Sequence, residues 1–150
     1  MAFEIRRLGP EDAAAYGEML DLFALGFEDP ETYSAARPEA EYVAGRLADP
    51  GFVALVAWDG AVAVGALAAY TLQKFEQARA EMYIYDLAVH PDHRRKRVAT
   101  GLIEALKPIA RAAGASVIFV QADHGDDPAI TLYSGLGTRE DVLHFDIPVA

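Results

Sequence analysis

The sequence predicts a single α/β domain of the α+β kind, residues 1–150, with a mixed central sheet flanked by helices. Three observations support this prediction. The 150 residues lie near the usual size of one domain, and 53% of them are hydrophobic, which is enough for one core. Strand-like runs and helical segments follow one another along the whole chain. An Asp59-Gly60 turn between two apolar runs predicts an antiparallel hairpin.

A strand and a long helix are predicted first. Residues 3–8 alternate enough for a strand, and Gly9-Pro10-Glu11-Asp12 then offers a turn and a helix start. The helix extends to about Phe27. The first third of the chain is therefore mostly helical.

A loop and a second helix follow. The loop is punctuated by Pro30, Ser34 and Pro38. Residues 39–47 then form a predicted helix that stops near Asp49-Pro50-Gly51.

Three predicted strands occupy the middle of the chain. Residues 52–58 are strand-like, Asp59-Gly60 makes the hairpin turn, and residues 61–72 form the returning strand. Residues 80–89, with two tyrosines and an isoleucine at their centre, form the third.

Helix and strand alternate in the last third. Residues 98–113 have helical periodicity, Pro108 should kink this helix, and Gly114 ends it. The remaining elements are a buried strand over residues 116–123, a short helix over 128–136 and a last strand over 142–148.

Composition excludes several classes of function. The chain has no cysteine, so it forms no disulfide or thiolate metal site, and its four histidines lack zinc-motif spacing. No signal-peptide core and no run of about eighteen apolar residues occurs, so we expect a soluble, cytoplasmic protein that does not bind a membrane. A net charge of -10 and a pI of about 4.7 disfavour nucleic acid and suit a cationic substrate.

Four consecutive basic residues, Arg94-Arg95-Lys96-Arg97, stand between an apolar strand and a helix. Such a run is conspicuous in an acidic chain, and helix N-termini favour anions through free backbone N–H groups and the helix dipole. The pattern indicates a phosphate-binding loop, with a solvated basic turn as the simpler alternative.

Two sequence motifs occur between residues 94 and 137. Residues 94–99 match an Arg-x-x-Gly-x-Gly/Ala loop that follows a strand ending in Leu87-Ala88-Val89. An Asn-x-x-Ala-x-x-Leu-Tyr-x-x-x-Gly motif is matched by Asp126, Ala129, Leu132, Tyr133 and Gly137. Together they resemble the GNAT superfamily of acetyl-CoA-dependent N-acetyltransferases.

Further segments extend the resemblance over most of the chain. They are residues 64–70, 74–77, 84–89, 121–123, 125–128 and 144–147. These segments are similar to the gentamicin-type aminoglycoside 3-N-acetyltransferases, and residues 21–33 resemble that family more loosely.

Two residues depart from the superfamily motifs. Arg97 stands where the first motif has glycine, and a side chain there can obstruct the approach of the backbone to pyrophosphate. Asp126 replaces the asparagine of the second motif, as in the gentamicin-type enzymes, and adds a carboxylate near the expected substrate side.

The resemblance implies acetyl-CoA as cosubstrate and no metal. Backbone N–H groups from about Arg95 to Thr100 would hold the pyrophosphate. A bulge near Leu87 would free backbone groups for the pantetheine arm and the thioester carbonyl, whereas the side chains there are expected to be buried. The expected cofactor-binding residues are Leu87, Ala88, Val89, Arg94, Arg95, Lys96, Arg97, Val98, Ala99 and Thr100.

Two residues are candidates for catalysis. Asp86 is a carboxylate in an apolar and aromatic strand, so it needs a partner, which is either a substrate amine or a structural hydrogen bond or salt bridge. It could take the amine's proton directly or through water. The resemblance places Tyr133 beside the CoA sulfur, where it could stabilise the thiolate, whereas its position on an apolar helix face also fits a core tyrosine.

Acidic loops and one aromatic residue are candidates for substrate binding. Aminoglycosides carry several ammonium groups, which several carboxylates would complement, although acidic loops are commonly just solvated. The candidates are Glu28, Asp29, Tyr85, Asp123, Asp126 and Asp127.

The resemblance implies acetyl transfer to the 3-amine of an aminoglycoside in a ternary complex, with antibiotic resistance as the outcome, and a homodimer. One alternative keeps the chemistry but changes the acceptor to a polyamine, another small amine or a protein lysine. Another is a non-catalytic acyl-CoA sensor.

Overall fold

Apart from one short helix and a 3-10 turn, the regular elements follow the order that the sequence predicts up to the last helix. The computed structural model describes residues 3–150. The elements are β1 (Glu4–Arg7), α1 (Ala13–Gly26), α2 (Pro30–Ser34), α3 (Ala40–Ala48), β2 (Phe52–Asp59), β3 (Val62–Gln73), β4 (Ala80–Val89), a 3-10 turn (Pro91–His93), α4 (Val98–Ala112), β5 (Ala115–Val120) and α5 (Asp127–Leu136).

The strands form one mixed sheet in the order β1-β2-β3-β4-β5. The first three pairings are antiparallel, and the predicted hairpin around Asp59-Gly60 joins β2 to β3. β4 and β5 are parallel, joined through α4. The predicted α/β class with a mixed central sheet is confirmed.

Helices cover both faces of the sheet. All of residues 52–58 are buried, because alternate side chains of β2 point to opposite faces and each face has helices over it. One face packs against α1 and α3, where Phe23 and Leu47 join the core. The other packs against α4 through Leu102 and Leu106.

Gly65 sets how closely α4 approaches the sheet. A Cβ atom at this position would lie 2.7 Å from Val98 Cγ1 and 3.3 Å from Leu102 Cδ1. Glycine therefore lets the first turn of α4 rest on β3, next to the end of β4. The helix runs through Pro108 as one element.

β4 keeps its pairing to β3 over its full length but loses its pairing to β5 halfway. The β3–β4 ladder extends to Gly65–Val89, whereas the β4–β5 ladder ends at Ile84–Val120. Tyr85 is the extra residue of a bulge, because Ala68 pairs with Asp86 and Ala69 with Ile84. Within residues 3–150, the edge of residues 85–89 that faces away from β3 thus has no strand partner.

Three expectations about secondary structure and burial need correction. The predicted loop around Pro30 contains the short helix α2, because Asp29 accepts a hydrogen bond from the Thr32 amide at 3.1 Å and Pro30 occupies the first turn. The strand predicted as buried, β5, has no buried residue, because it is the edge strand of the sheet.

The predicted last strand over residues 142–148 is absent. Residues 138–150, which we call the tail, have no regular secondary structure and are exposed throughout. The alternation of apolar residues in the tail suits a strand, but within residues 3–150 no neighbouring strand pairs with it.

Candidate active site

Asp86 lies directly after the bulge in β4 and is half-buried. The Tyr33 hydroxyl, from α2, donates a hydrogen bond to Asp86 Oδ2 at 2.8 Å. This phenol is neutral, and no Lys, Arg or His within residues 3–150 forms an ion pair with Asp86. Asp86 is therefore a carboxylate whose negative charge is not balanced by a described side chain.

The environment raises the pKa of both Asp86 and Tyr33. Burial raises the pKa of Asp86, and the hydrogen bond from Tyr33 lowers it in part. Burial also raises the pKa of Tyr33, with further contributions from its hydrogen bond to Asp86 and from the charges of Asp86 and Asp29. Tyr33 thus stays protonated at neutral pH, and Asp86 is a stronger base than an ordinary carboxylate.

Tyr33 is fixed by aromatic packing. Its ring lies 5.6 Å from that of Phe23 and 5.7 Å from that of Phe27, both in or next to α1. The Tyr33 amide also donates to the Asp29 carbonyl at 3.4 Å. α1 and α2 therefore hold the hydroxyl at Asp86 from outside the sheet.

Three further tyrosines lie along β3 and β4. Tyr85 is 60% exposed, and its ring makes edge contacts with Tyr70 at 5.7 Å and Tyr83 at 5.8 Å. Tyr83 stacks on Phe119 of β5 at 4.6 Å. Burial raises the pKa of Tyr70 and of Tyr83, and the charge of Asp86 contributes less to both. We call Tyr33, Tyr70, Tyr83 and Tyr85 the tyrosine cluster.

Tyr133 lies in α5, the helix that follows β5. It packs against the core cluster that contains Leu102 and Leu106. Burial, with a smaller contribution from the charge of Asp126, raises the pKa of Tyr133 to about 12. Its hydroxyl forms no hydrogen bond in the part of the chain from residue 3 to 150, so it is a protonated donor without a described acceptor.

The basic loop, residues 94–97, is exposed at all four positions. None of its side chains forms an ion pair with the described residues. Arg95 and Arg97 have φ values of 62° and 63°, the left-handed conformation that glycine adopts most readily. No side chain caps α4, so the amides of its first turn are free to bind an anion.

Arg97→Gly is expected to raise the free energy of unfolding by roughly 0.5 kcal/mol. The left-handed conformation costs a non-glycine residue about 1–2 kcal/mol, and ordering glycine costs about 0.5–1 kcal/mol, so relief of strain slightly exceeds the entropic penalty. Urea denaturation measures the difference.

Arg94→Gly is the matched control. Arg94 is exposed in the same loop but has a φ of -69°, which any residue adopts. We expect the free energy of unfolding of this variant to fall by about 0.5–1 kcal/mol, the usual entropic penalty for glycine. A fall of similar size in the free energy of unfolding of Arg97→Gly would show that the backbone at Arg97 is not strained.

The sequence predicts a bulge and buried side chains at the end of β4, and the structure agrees only in part. A bulge is present, at Tyr85, two residues before Leu87. Ala88 is buried, whereas Leu87 and Val89 are only half-buried, so the expectation of burial is wrong for these two.

The acidic candidates fall into two groups. Asp29 caps α2, and its pKa is lowered by hydrogen bonds from Thr32. Asp126 caps α5 through the Ala129 amide at 3.4 Å. The other group caps no helix and comprises three exposed residues, Glu28, which has a φ of 52°, Asp123 and Asp127.

Sequence reasoning missed the partner of Asp86. Tyr33 lay in a segment predicted as a loop, and no periodic pattern marks it. Only the requirement that a buried carboxylate have a partner pointed to such a residue. Tyr70 was also missed, because an aromatic residue in a strand ordinarily indicates packing.

Two further features bear on the class of site. No group of three or more His, Asp or Glu side chains among residues 3–150 is arranged to hold a metal ion. None of the helices described for that range is long and apolar enough to cross a membrane.

Comparison with known proteins gives consistent matches. Residues 17–138 match the model of the Acetyltransferase (GNAT) family. The crystal structure of an aminoglycoside acetyltransferase from an uncultured soil metagenomic sample is 51% identical over 100% of both chains, with a TM-score of 0.98. A second such enzyme from soil, in complex with sisomicin, is 29% identical over 99% of this chain and 97% of its own, with a TM-score of 0.90.

A mammalian protein also matches part of the chain. N-acetyltransferase 8B of Rattus norvegicus is 27% identical over 99 residues. The match covers 66% of this chain and 45% of the rat protein, so this chain spans less than half of that relative's length.

Proposed function

The chain belongs to the GNAT family of acetyltransferases, and on this premise we propose that it acetylates the 3-amine of the deoxystreptamine ring of aminoglycosides. GNAT acetyltransferases use acetyl-CoA. The observation that carries the proposal is Asp86, a half-buried carboxylate with a neutral phenol as its hydrogen-bond partner. A site of this kind suits a substrate that brings its own positive charge.

The basic loop and the start of α4 fit the phosphates of acetyl-CoA. Their amides are uncapped, and the four basic side chains have no ion-pair partner among the described residues. Arg97 already has the left-handed backbone conformation that glycine adopts most readily, so glycine at this position would need no change of backbone. In this proposal residues 94–100 hold the pyrophosphate, and the unpaired edge of Leu87, Ala88 and Val89 holds the pantetheine arm.

Asp86 is assigned to the acceptor amine. When bound, acetyl-CoA supplies a thioester carbonyl carbon to which the amine nitrogen bonds as the carbon–sulfur bond breaks. The amine must first lose a proton, and Asp86, made more basic by burial, accepts it directly or through water. The transfer is direct in this proposal, because the chain has no cysteine and no Ser/His/Asp constellation stands out in its sequence to form an acyl-enzyme.

Tyr133 is assigned to the departing sulfur as a hydrogen-bond donor. Full transfer of its proton to a thiolate is unfavourable, because a phenol with a pKa of about 12 is roughly 3.5 units weaker as an acid than an ordinary thiol, or about 5 kcal/mol. A hydrogen bond to the developing charge requires no such transfer. The free hydroxyl of Tyr133 is suited to that task.

Aromatic rings and carboxylates near Asp86 support a polycationic sugar as the acceptor. β4 and β5 are parallel, so the second half of β4 and the loop after β5 lie at the same end of the sheet. That loop carries Asp123 and Asp126, and Asp127 is the first residue of α5, while the tyrosine cluster offers ring faces for ammonium groups. Together with Glu28 and Asp29, these residues form the proposed substrate side.

Tyr33→Phe is expected to move the acid limb of the pH–rate profile to higher pH. The Tyr33 hydroxyl stabilises the ionised form of Asp86, so its loss raises the pKa of Asp86 further and the base becomes protonated at a higher pH. Below the pKa of Asp86 in both proteins we expect kcat/KM for gentamicin to fall about 10-fold, and much less at pH 8. A profile superimposable on that of the wild type would show that Tyr33 does not act on the base.

Competition between two amines tests the acceptor class. Purified protein is given acetyl-CoA with gentamicin, with spermidine or with neither, and free CoA is measured. The proposal predicts gentamicin-dependent release that excess spermidine barely inhibits. Turnover with spermidine alone would support a polyamine acceptor, and CoA binding without turnover would support a sensor.

Acetylation at this amine would also have a cellular consequence. It removes a positive charge that an aminoglycoside uses to bind ribosomal RNA. Expression of the protein should therefore raise the gentamicin concentration needed to inhibit growth, which makes antibiotic resistance the proposed outcome.

A further inference from the structure

Gln121 follows β5 directly, at the point where β4 and β5 cease to pair. The ladder between these strands ends at the pair Ile84–Val120. Gln121 and the bulge residue Tyr85 are therefore the first residues of the unpaired stretch. The Tyr83 hydroxyl donates a hydrogen bond to Gln121 Oε1 at 3.1 Å, so a side-chain contact joins the two strands where their backbone pairing stops.

Gln121 lies on the face of the sheet that carries Asp86. In β3, the partners of Tyr83 and Asp86 are two residues apart, so both side chains occupy one face. The ring of Tyr83 stacks on that of Phe119 at 4.6 Å, and its hydroxyl contacts Gln121. Burial raises the pKa of Tyr83, with further contributions from Tyr85 and the charge of Asp86. The amide of Gln121 and the carboxylate of Asp86 therefore lie on the same side of neighbouring strands.

The hydrogen bond from Tyr83 decides which end of the Gln121 amide is free. The amide oxygen is occupied, because Tyr83 keeps its proton at neutral pH and donates it there. The amide nitrogen carries two N–H groups and forms no hydrogen bond with a residue between 3 and 150. Gln121 is exposed, so a bound molecule can reach both N–H groups.

The proposed substrate side is otherwise rich in acceptors. Its carboxylates, Asp86 among them, accept hydrogen bonds and donate none when ionised. The hydroxyl hydrogens of Tyr33 and Tyr83 are already used, on Asp86 and Gln121. Carboxylates suit the ammonium groups of an aminoglycoside, whereas its hydroxyl and glycosidic oxygens also accept hydrogen bonds from donors. The amide nitrogen of Gln121 is such a donor.

We propose that Gln121 is a specificity-determining residue, whose amide nitrogen donates a hydrogen bond to an oxygen on the aminoglycoside ring that bears the reacting amine. Tyr83 is a positioning residue, because it holds the amide oxygen and leaves the nitrogen for the substrate. The inference rests on the proposed function and deepens it. The site selects an amine that carries ring oxygens over a polyamine, which has none, because a site built to bond an oxygen disfavours a ligand that lacks it.

Two small ligands isolate the contribution of the oxygens. Deoxystreptamine and cis-1,3-diaminocyclohexane share a six-membered ring with two amines, but only the first carries hydroxyl groups. Titration calorimetry on the CoA complex, with gentamicin as the displaced ligand, gives the Kd of each without requiring turnover. Gln121→Met keeps the length of the side chain and removes the donor. It should raise the Kd of deoxystreptamine and gentamicin about 3- to 10-fold and leave that of the diamine within about twofold.

Two further variants complete the test. Gln73→Met makes the same change at an exposed residue, at the far end of the β3–β4 ladder from Asp86, and should bind all three ligands like the wild type. Tyr83→Phe should raise the Kd of deoxystreptamine about 2- to 3-fold alone but have no further effect in Gln121→Met, because it acts through that amide. Circular dichroism should be unchanged in all variants.

The possible outcomes separate this inference from the proposed function. Unchanged Kd values in Gln121→Met, or an equal rise for deoxystreptamine and the diamine, would overturn the role of Gln121 while gentamicin binding stands. Additive effects of Tyr83→Phe and Gln121→Met would overturn the positioning role of Tyr83. A wild-type protein that binds no gentamicin in the presence of CoA would overturn the proposed function, and this inference with it.

Discussion

Asp86→Asn is expected to lower kcat/KM for gentamicin by about 10²- to 10⁴-fold, the usual contribution of a positioned base. Asparagine has nearly the same shape and can still accept the hydrogen bond from Tyr33, which now spans 2.8 Å to Asp86 Oδ2. It cannot take a proton from the amine. The initial rate of CoA release, measured at several gentamicin concentrations for both proteins, gives the change in kcat/KM.

Two controls separate this loss from damage to the fold. The affinity for acetyl-CoA should stay within about twofold, and the free energy of unfolding should not fall, because the substitution removes a charge that burial disfavours. Glu41→Gln makes the corresponding change from carboxylate to amide at an exposed residue of α3 and should retain full activity. Activity of Asp86→Asn within threefold of the wild type would exclude Asp86 as the base and leave water or a loop aspartate.

Tyr133→Phe is expected to lower kcat by about 10- to 100-fold. The ring still fills its place against α4, so only the hydrogen bond to the developing thiolate is lost, and a bond to a charged group contributes roughly 1.5–3 kcal/mol. Acetyl-CoA affinity should change little, because the charge on sulfur develops only during the reaction. Steady-state kinetics at saturating acetyl-CoA measure the effect.

The alternative role of Tyr133, a core tyrosine, makes a different prediction. In that case kcat would stay unchanged in the phenylalanine variant and only stability would respond. In our account stability is unchanged or slightly improved, since the lost hydroxyl has no partner within residues 3–150. Tyr42→Phe, at a residue that is 61% exposed on α3, is the matched control and should be fully active.

Local signals predicted most of the fold. The Asp59-Gly60 turn identified the β2–β3 hairpin, because this pair adopts the turn that joins twisted strands. The periodicity after residue 98 identified α4, whose apolar side covers the sheet. Such features depend on residues close in sequence, so they can be predicted from the sequence alone.

Features that depend on distant partners were beyond prediction. The tail alternates like a strand, but whether it pairs depends on an edge elsewhere, and here no described strand pairs with it. Likewise, the apolar residues of β5 suggest full burial, whereas its place at the edge of the sheet leaves them half-buried or exposed. A single sequence does not show which distant segments will lie next to a strand in the sheet.

The candidate site shows the same division. Asp86 and the basic loop are conspicuous because charge in an apolar strand or at a helix start has few physical explanations. Tyr33 became visible only through its 2.8 Å contact with Asp86, which joins residues 53 positions apart. The role of each of these residues follows from chemistry that kinetics can test.

Locating the acetyl group on the product tests the central claim most directly. Gentamicin is incubated with acetyl-CoA and the purified protein, and the product is analysed by mass spectrometry and NMR. Our account predicts a single acetyl group, on the 3-amine of the deoxystreptamine ring. Acetylation of another amine would contradict the proposed specificity, and unmodified gentamicin despite bound acetyl-CoA would contradict the proposed function itself.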